Sequence, residues 1–281
     1  MSSRVAWITG ASSGIGAALS VALARAGWEL VLSGRRPAAL STVADMAGGS
    51  PLILPFEATA YDALPGIVAR ATAWRGRIDM LVNNAGISQR SLALDTGFKV
   101  YRSLMEVDFF APLRLTQLVA PGMVERRSGR LVAISSLAGR TGSPLRSGYC
   151  AAKHALLGYF EALRAELEVA YNVGVTTVLP GSVRTNISTN ALQADGSIRG
   201  VSDANIDAGM DPARVADIII DGLNRNLREI VVAEGAELYG AGLRASDPDR
   251  LFDYLATEGA RLAAARQAAG AGFRPDPKLV V

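Results

Sequence analysis

The chain has 281 residues, of which 49% are hydrophobic and 20% charged, with a formal net charge of +3. That length buries a full α/β core, and a charge so small and evenly spread gives no reason to expect nucleic acid as a partner. Cys150 is the only cysteine and His154 the only histidine. An internal disulfide and cysteine or histidine metal clusters are therefore out, and a Ser-His-Asp hydrolase would depend on one poorly placed residue.

The first element is the apolar run Val5–Thr9, a strand that enters the turn Thr9-Gly10-Ala11-Ser12-Ser13-Gly14-Ile15-Gly16. A strand running into such a turn sets the N–H groups of a helix N-terminus at one spot, where a phosphate fits. Ile15, Leu19, Leu23 and Ala26 then recur at helical spacing, giving the helix an apolar face to lay on a sheet. Val5 to Ala24 carries no charge and imitates a signal or membrane segment. Its glycines, serines and threonine fit a strand-turn-helix better, and a cytoplasmic protein without a membrane partner is expected.

Further strands are expected at Glu29–Ser33, Leu52–Phe56, Ile78–Asn83, Leu131–Ser135, Val173–Leu179 and Glu229–Val232, separated by helical patterns. Such alternation predicts right-handed crossovers and a parallel sheet of about seven strands with helices on both faces, an α/β, Rossmann-like, doubly wound fold. Ligands in these sheets gather at the carboxyl ends of the strands. The glycine turn, Arg35, Asn83-Asn84-Ala85-Gly86, Ser135-Ser136 and Pro180-Gly181 all fall there.

Ser188 to Met210 has weak periodicity and reads as a mobile lid, or as a plain surface insertion. Asp211-Pro212 opens a helix to about Asn226, and Asp247-Pro248 a last amphipathic one bearing Leu251, Leu255 and Leu262, which packs on its own domain or on a partner subunit. The expected organisation is one catalytic domain over residues 1–245, with the lid at about 188–211, and a helical extension over 246–281 that frays from about Gly270.

Taken together, T-G-A-S-S-G-I-G (9–16), N-N-A-G (83–86), S-S-L-A-G (135–139), Y-C-A-A-K (149–153) and P-G-S-V-R-T (180–185) make the chain resemble the short-chain dehydrogenase/reductase family from about residue 4 to 235. The resemblance implies a nicotinamide cofactor and hydride transfer between it and an alcohol or carbonyl carbon. It gives Tyr149 the acid/base role, for which a phenol suits if its pKa falls from about 10 towards the working pH. Lys153, one turn later on the same helix face, would hold a cation near the phenolate and bind the nicotinamide ribose. A bare Y-x-x-x-K has a second reading, an aromatic and a solvated lysine on an amphipathic helix.

Ser136, not Ser135, has the family's spacing to the tyrosine and would hydrogen-bond the substrate oxygen. Where the family usually has asparagine in a V-N-F-F-G-like segment, this chain reads Val107-Asp108-Phe109-Phe110-Ala111. That position bends a helix in the family so that a main-chain carbonyl holds a relay water. An aspartate there keeps the backbone role or merely pairs with a nearby base, and its carboxylate would alter the charge around Lys153.

The second strand ends Leu32-Ser33-Gly34-Arg35-Arg36, with glycine where NAD-preferring relatives carry an acid. Arginines suit a 2′-phosphate, so NADP(H) is the expected cofactor, with Arg35 the better candidate and Arg36 also readable as a solvated surface residue. Carried over residue by residue, the cofactor site comprises Gly10, Ser12, Ser13, Gly14, Ile15, Gly16, Arg35, Arg36, Glu57, Ala58, Asn84, Ala85, Gly86, Tyr149, Lys153, Pro180, Gly181, Val183 and Thr185. Asn83 has a second reading, as a structural tie between neighbouring strands.

The substrate is expected to meet Ser88, Gln89, Ser136, Leu137, Leu145, Tyr149 and Ser182, whose mix favours an apolar ketone, aldehyde or hydroxysteroid-like compound. The leading expectation is thus an NADPH-dependent carbonyl reductase, reversible as an alcohol dehydrogenase. A non-catalytic NADP-binding regulatory protein on the same fold is the alternative, and NADP-assisted epimerisation or dehydration remains open. A homodimer or homotetramer is expected through the helix around Phe98–Arg126 and the one beginning at Tyr149, with Ala155, Leu156, Tyr159 and Leu163 as packing residues.

Overall fold

The computed structural model describes residues 4–270 and 273–279. Seven parallel strands form one sheet: β1 (Val5–Thr9), β2 (Glu29–Ser33), β3 (Leu52–Ile53), β4 (Met80–Asn83), β5 (Gly129–Ile134), β6 (Val173–Pro180) and β7 (Glu229–Val232). Their spatial order is β3-β2-β1-β4-β5-β6-β7. The chain leaves β1 towards β2 and later returns to place β4 on the other side, so a crevice opens where the order reverses, above the ends of β1 and β4.

Period-two alternation divides the core between the two faces of this sheet. Ala6, Ile8, Leu30, Leu32, Val82, Val132 and Val178 pack with α1 (Gly14–Arg25), α2 (Pro37–Ala47) and α8 (Pro212–Asn224). Val5, Trp7, Val31, Leu81, Leu131, Ala133 and Val175 pack with α3 (Leu64–Arg75), α5 (Ala111–Glu125) and α6 (Ser147–Tyr171). Each large aliphatic side chain so buried contributes about 1.5–3 kcal/mol. Among the described residues no helix is long and apolar enough to cross a membrane.

Beyond shifts of a residue or two at strand ends and a break in the helix expected around Phe98–Arg126, three differences from expectation stand out. The third strand is regular only at Leu52–Ile53 because Pro55 interrupts the edge, yet the chain still follows β2 through Leu54 N–H to the Leu32 carbonyl (2.9 Å) and Phe56 N–H to the Gly34 carbonyl (3.1 Å). A helix not foreseen, α9 (Gly235–Ser246), precedes α10 (Pro248–Ala269). The third difference is the segment expected to be a structureless lid. It holds α7 (Ala204–Asp207) and a small antiparallel turn between Leu192 and Ile198.

That segment is fastened at its root. The Asp203 carboxylate, fully buried, accepts from Arg90 Nε at 2.5 Å and from the Arg199 guanidinium, both also nearly buried. The Arg90 N–H donates to the Leu192 carbonyl, and the Leu192 N–H to the Ser88 carbonyl, each at 2.8 Å. Neither contact shows in hydrophobic periodicity, which is why the sequence reads as loop.

The last helix packs on its own domain. Leu251 and Leu262 are buried, Leu255 is partly exposed, and Leu262 meets Leu145 and Leu92. Arg266 Nε donates to both carboxylate oxygens of Asp95 at 2.8 Å. Of the tail expected to fray from about Gly270, residues 271–272 and 280–281 lie outside the described residues, while Arg199 reaches the Pro275 carbonyl at 3.3 Å.

Removing one member of a buried ion pair strands the other charge at about 3–5 kcal/mol. Asp203→Ala is therefore expected to lower stability in denaturant titration by that amount. The exposed pair Arg225–Asp221 serves as control, with Asp221→Ala changing stability by about 0.5 kcal/mol or less.

Candidate active site

A cavity of about 820 Å³ occupies the crevice. Its floor is the turn between β1 and α1. Gly10 and Gly14 have φ of +64° and +57°, and a Cβ on Gly10 would sit 2.8 Å from both Ala85 Cα and Asn84 Nδ2. Thr9 and Asn84 fix this approach. Thr9 Oγ1 accepts from the N–H of Asn84 (3.0 Å) and of Ala85 (3.1 Å), while Asn84 Nδ2 donates to the Thr9 carbonyl (2.9 Å). The first turn of α1 has no acidic residue and its N-cap makes no side-chain bond, so its N–H groups face the cavity unclaimed by a cap.

The wall at the end of β2 carries Arg35, Arg36, Glu57 and Ala58. Arg36 lies 3.5 Å from Ser12 Oγ, and Arg35 lies 3.9 Å from the Glu57 carboxylate with both side chains well exposed. Of the expected cofactor residues, all but Gly16 line the cavity. Gly16 lies beneath the floor, packed against the Gly10 carbonyl and Asn84. Asn83 is buried and donates to Thr116 Oγ1 at 3.0 Å, so it ties β4 to helix α5 rather than to a neighbouring strand.

On the far wall stand Ser136, Tyr149 and Lys153. Lys153 is buried, its Nζ 3.3 Å from the Ile134 carbonyl and 5.7 Å from the centre of the Tyr149 ring. Ser135 Oγ donates back to the Lys153 carbonyl at 3.2 Å, occupied with holding α6 against β5. Ser136 Oγ lines the cavity, accepting from the Ala138 N–H at 3.1 Å and lying 3.3 Å from the Pro180 carbonyl.

Behind this wall lies Asp108. It sits in a single π-helical turn, Glu106–Phe110, between α4 (Phe98–Met105) and α5. Its side chain is fully buried, Oδ1 accepts from the Ile87 N–H at 2.8 Å, and Oδ2 makes no hydrogen bond among the described residues. Burial pushes its carboxyl up to about 6, with the Lys153 cation and the Ile87 N–H pulling the other way. Burial also pushes up the thiol of Cys150, which leaves it a packing residue.

The expected substrate residues fare unevenly. Ser136 and Tyr149 line the cavity, whereas Ser88, Gln89, Leu137, Leu145 and Ser182 do not. Gln89 is fully buried and its Oε1 accepts the Gly148 N–H at 2.8 Å, capping α6 one residue before Tyr149. Ser88 Oγ accepts from Arg90 at 2.8 Å, and Leu145 is buried against Leu262. Ser182 is bound through its N–H and Oγ to the Glu237 carboxylate of α9. Leu137 belongs to a one-turn helix outside the cavity.

The outer wall is instead built by Lys99, Val100, Ser103 and Val107 near α4, and by Ile187, Asn190, Leu192, Ile198 and Ile206. The four-residue spacing of Lys99, Ser103 and Val107 is a helix-face signal that was legible. The second group depends on the Asp203 clasp and was not.

The family model described as short chain dehydrogenase matches residues 4–196. Dehydrogenase/reductase SDR family member 7B of Mus musculus is 39% identical over 257 residues, covering 89% of this chain and 79% of the relative. Among solved structures, a short-chain dehydrogenase from Streptomyces avermitilis is 29% identical with a TM-score of 0.76, covering 95% of this chain and 97% of that one. A short-chain dehydrogenase from Sphingobium yanoikuyae in complex with NADPH is 27% identical with a TM-score of 0.72, covering 97% and 99%.

Asp108 yields a signed stability prediction. Its folded carboxyl titrates above the unfolded value of 3.8, at about 6, so its charged form opposes folding. The penalty is absent below about pH 4, grows as pH rises towards 6 and is complete above it. Asp108→Asn, which keeps an oxygen for the Ile87 N–H, is expected to stabilise the protein by on the order of 1–3 kcal/mol at pH 8 and by nothing at pH 4. Denaturant titrations at the two pH values measure it.

Proposed function

Since the chain belongs to the short-chain dehydrogenase/reductase family and is a dehydrogenase/reductase, we propose that it moves a hydride between NADP(H) and the alcohol or carbonyl carbon of an apolar ketone, aldehyde or hydroxysteroid-like compound. The carrying observation is that Ser136, Tyr149 and Lys153 stand on one wall of the cavity whose floor is the Gly10–Gly14 turn. The residues fit a dinucleotide. A cradle that a Cβ would fill and an uncapped helix N-terminus offer backbone N–H groups to a diphosphate. Arg35 and Arg36 offer guanidinium forks to a 2′-phosphate. The NADPH held by the Sphingobium yanoikuyae protein supports the same choice.

When bound, the nicotinamide supplies or accepts the hydride. The Tyr149 hydroxyl gives its proton to the oxygen of the carbonyl being reduced, and takes it back in alcohol oxidation. The Ser136 hydroxyl turns from the Pro180 carbonyl to that oxygen and donates to the charge developing there. Lys153, held by the Ile134 carbonyl, places a cation beneath the phenol and stabilises its ionised form. Among the described residues the outer wall is largely aliphatic, with Val100, Ile187, Leu192 and Ile206 beside the single cation Lys99, and no acidic side chain lines that end, which supports an apolar substrate.

Steady-state reduction of a panel of aldehydes, ketones and ketosteroids, with NADPH and NADH in parallel, tests this reading. Tyr149→Phe is expected to cut kcat by about 10²–10⁴ while NADPH still binds. NADPH binding without turnover on the whole panel would favour a regulatory protein instead. One or two guanidinium–phosphate bonds contribute about 1.5–3 kcal/mol each, so Arg35→Ala is expected to lower the NADPH-over-NADH preference at least about tenfold.

A further inference from the structure

Asp108 holds more charge than the fold requires. The one hydrogen bond that it makes, Oδ1 to the Ile87 N–H, would be made as well by the amide oxygen of an asparagine. Among the described residues its second oxygen is buried without a hydrogen-bond partner, an expensive way to finish a turn. What the carboxylate faces is Lys153. A Cβ on Gly86 would stand 3.0 Å from Asp108 Oδ1 and 3.3 Å from Lys153 Nζ, so the two groups flank the bare face of that glycine.

We propose that Asp108 is a positioning residue for proton transfer: its carboxylate offsets the Lys153 cation beneath Tyr149 and so tempers the pull of that cation on the phenolic proton. The inference rests on the proton-transfer role given above to Tyr149. A cation near a phenol favours the phenolate, and a carboxylate near that cation opposes it.

Two other cations reach this site, Arg146, partly buried at the start of α6 and acting on Tyr149, and Lys99 in the cavity's outer wall. Neither changes between the proteins compared below, and the remaining charges around the turn point elsewhere. Glu106, in the same turn, accepts from the Tyr61 hydroxyl. On α4, Arg102 is exposed; on α5, Arg114 is 3.4 Å from Gln117 Oε1, and Glu125 is exposed. From α6, Lys153 is the charge that acts on Asp108, and Tyr159 packs edge-on against Phe109. Lys153 is thus the route by which this carboxylate reaches the reaction.

The test needs no substrate. The protein has 7 tyrosines, and subtracting the 295 nm ionisation curve of Tyr149→Phe from that of the wild type isolates Tyr149. The same subtraction is made in the Asp108→Asn background. The expected result is that the Tyr149 curve moves to lower pH by about one pH unit when Asp108 becomes asparagine. An unmoved curve in a protein with wild-type circular dichroism overturns the proposal, since a residue that only shapes the turn would not shift it.

Should Asp108→Asn not fold, the ¹³C carboxyl resonance of Asp108 carries the test. In Lys153→Met its titration is expected to move to higher pH, and an unchanged titration overturns the pairing. Failure of the underlying reading looks different: Tyr149→Phe would then keep its turnover of the carbonyl panel, wherever the ionisation curves lie.

Discussion

The close approach of two strand ends governs the rest of this molecule. Thr9 and Asn84 exchange hydrogen bonds across the tips of β1 and β4, and Gly10 touches the backbone of Ala85 with no room for a Cβ. The reversal of strand order makes a crevice here, and the missing side chains make it deep. Every other wall is referred to this floor: the arginines after β2, the serines after β5, and the helix that carries the tyrosine.

Helix α6 transmits the same precision to the chemistry. Its start is fixed by Gln89, which caps Gly148 from a loop far away in sequence, and one turn beyond Tyr149, Lys153 is pinned to β5 through the Ile134 carbonyl, with Ser135 returning a bond to Lys153. Tyr149 lies between these two anchors. The packing of α6 on the sheet and directional hydrogen bonds at both ends of this turn together fix where its side chains point.

Much of this was legible in the chain. The strands announce themselves as short β-branched runs, and the floor and far wall as small or polar residues at their ends; these signals are local. What failed was non-local. Ser88 and Gln89 looked like cleft residues because they follow a strand end, yet they turn inward to satisfy buried donors that belong to α6 and Arg90. Ser182 was claimed by Glu237 of a helix that composition hid. Residues 188–210 read as loop because their order comes from one buried carboxylate between two arginines, a contact with no periodic trace. Asp108 was visible as a departure, but its consequence depended on burial, and only the fold shows that.

The cavity's outer wall is supported by parts of the chain that the floor and the tyrosine helix do not use. Ile198 and Ile206 follow the matched span of 4–196, and Arg266 and Leu262 of α10 brace Asp95, Leu92 and Leu145 from further still. Part of the outer wall, though not Lys99 to Leu192, is thereby written on a stretch of sequence separate from the floor. Substitutions in that stretch can reshape the mouth of the cavity while the floor keeps its geometry, so the entrance is free to drift where the foundation is not.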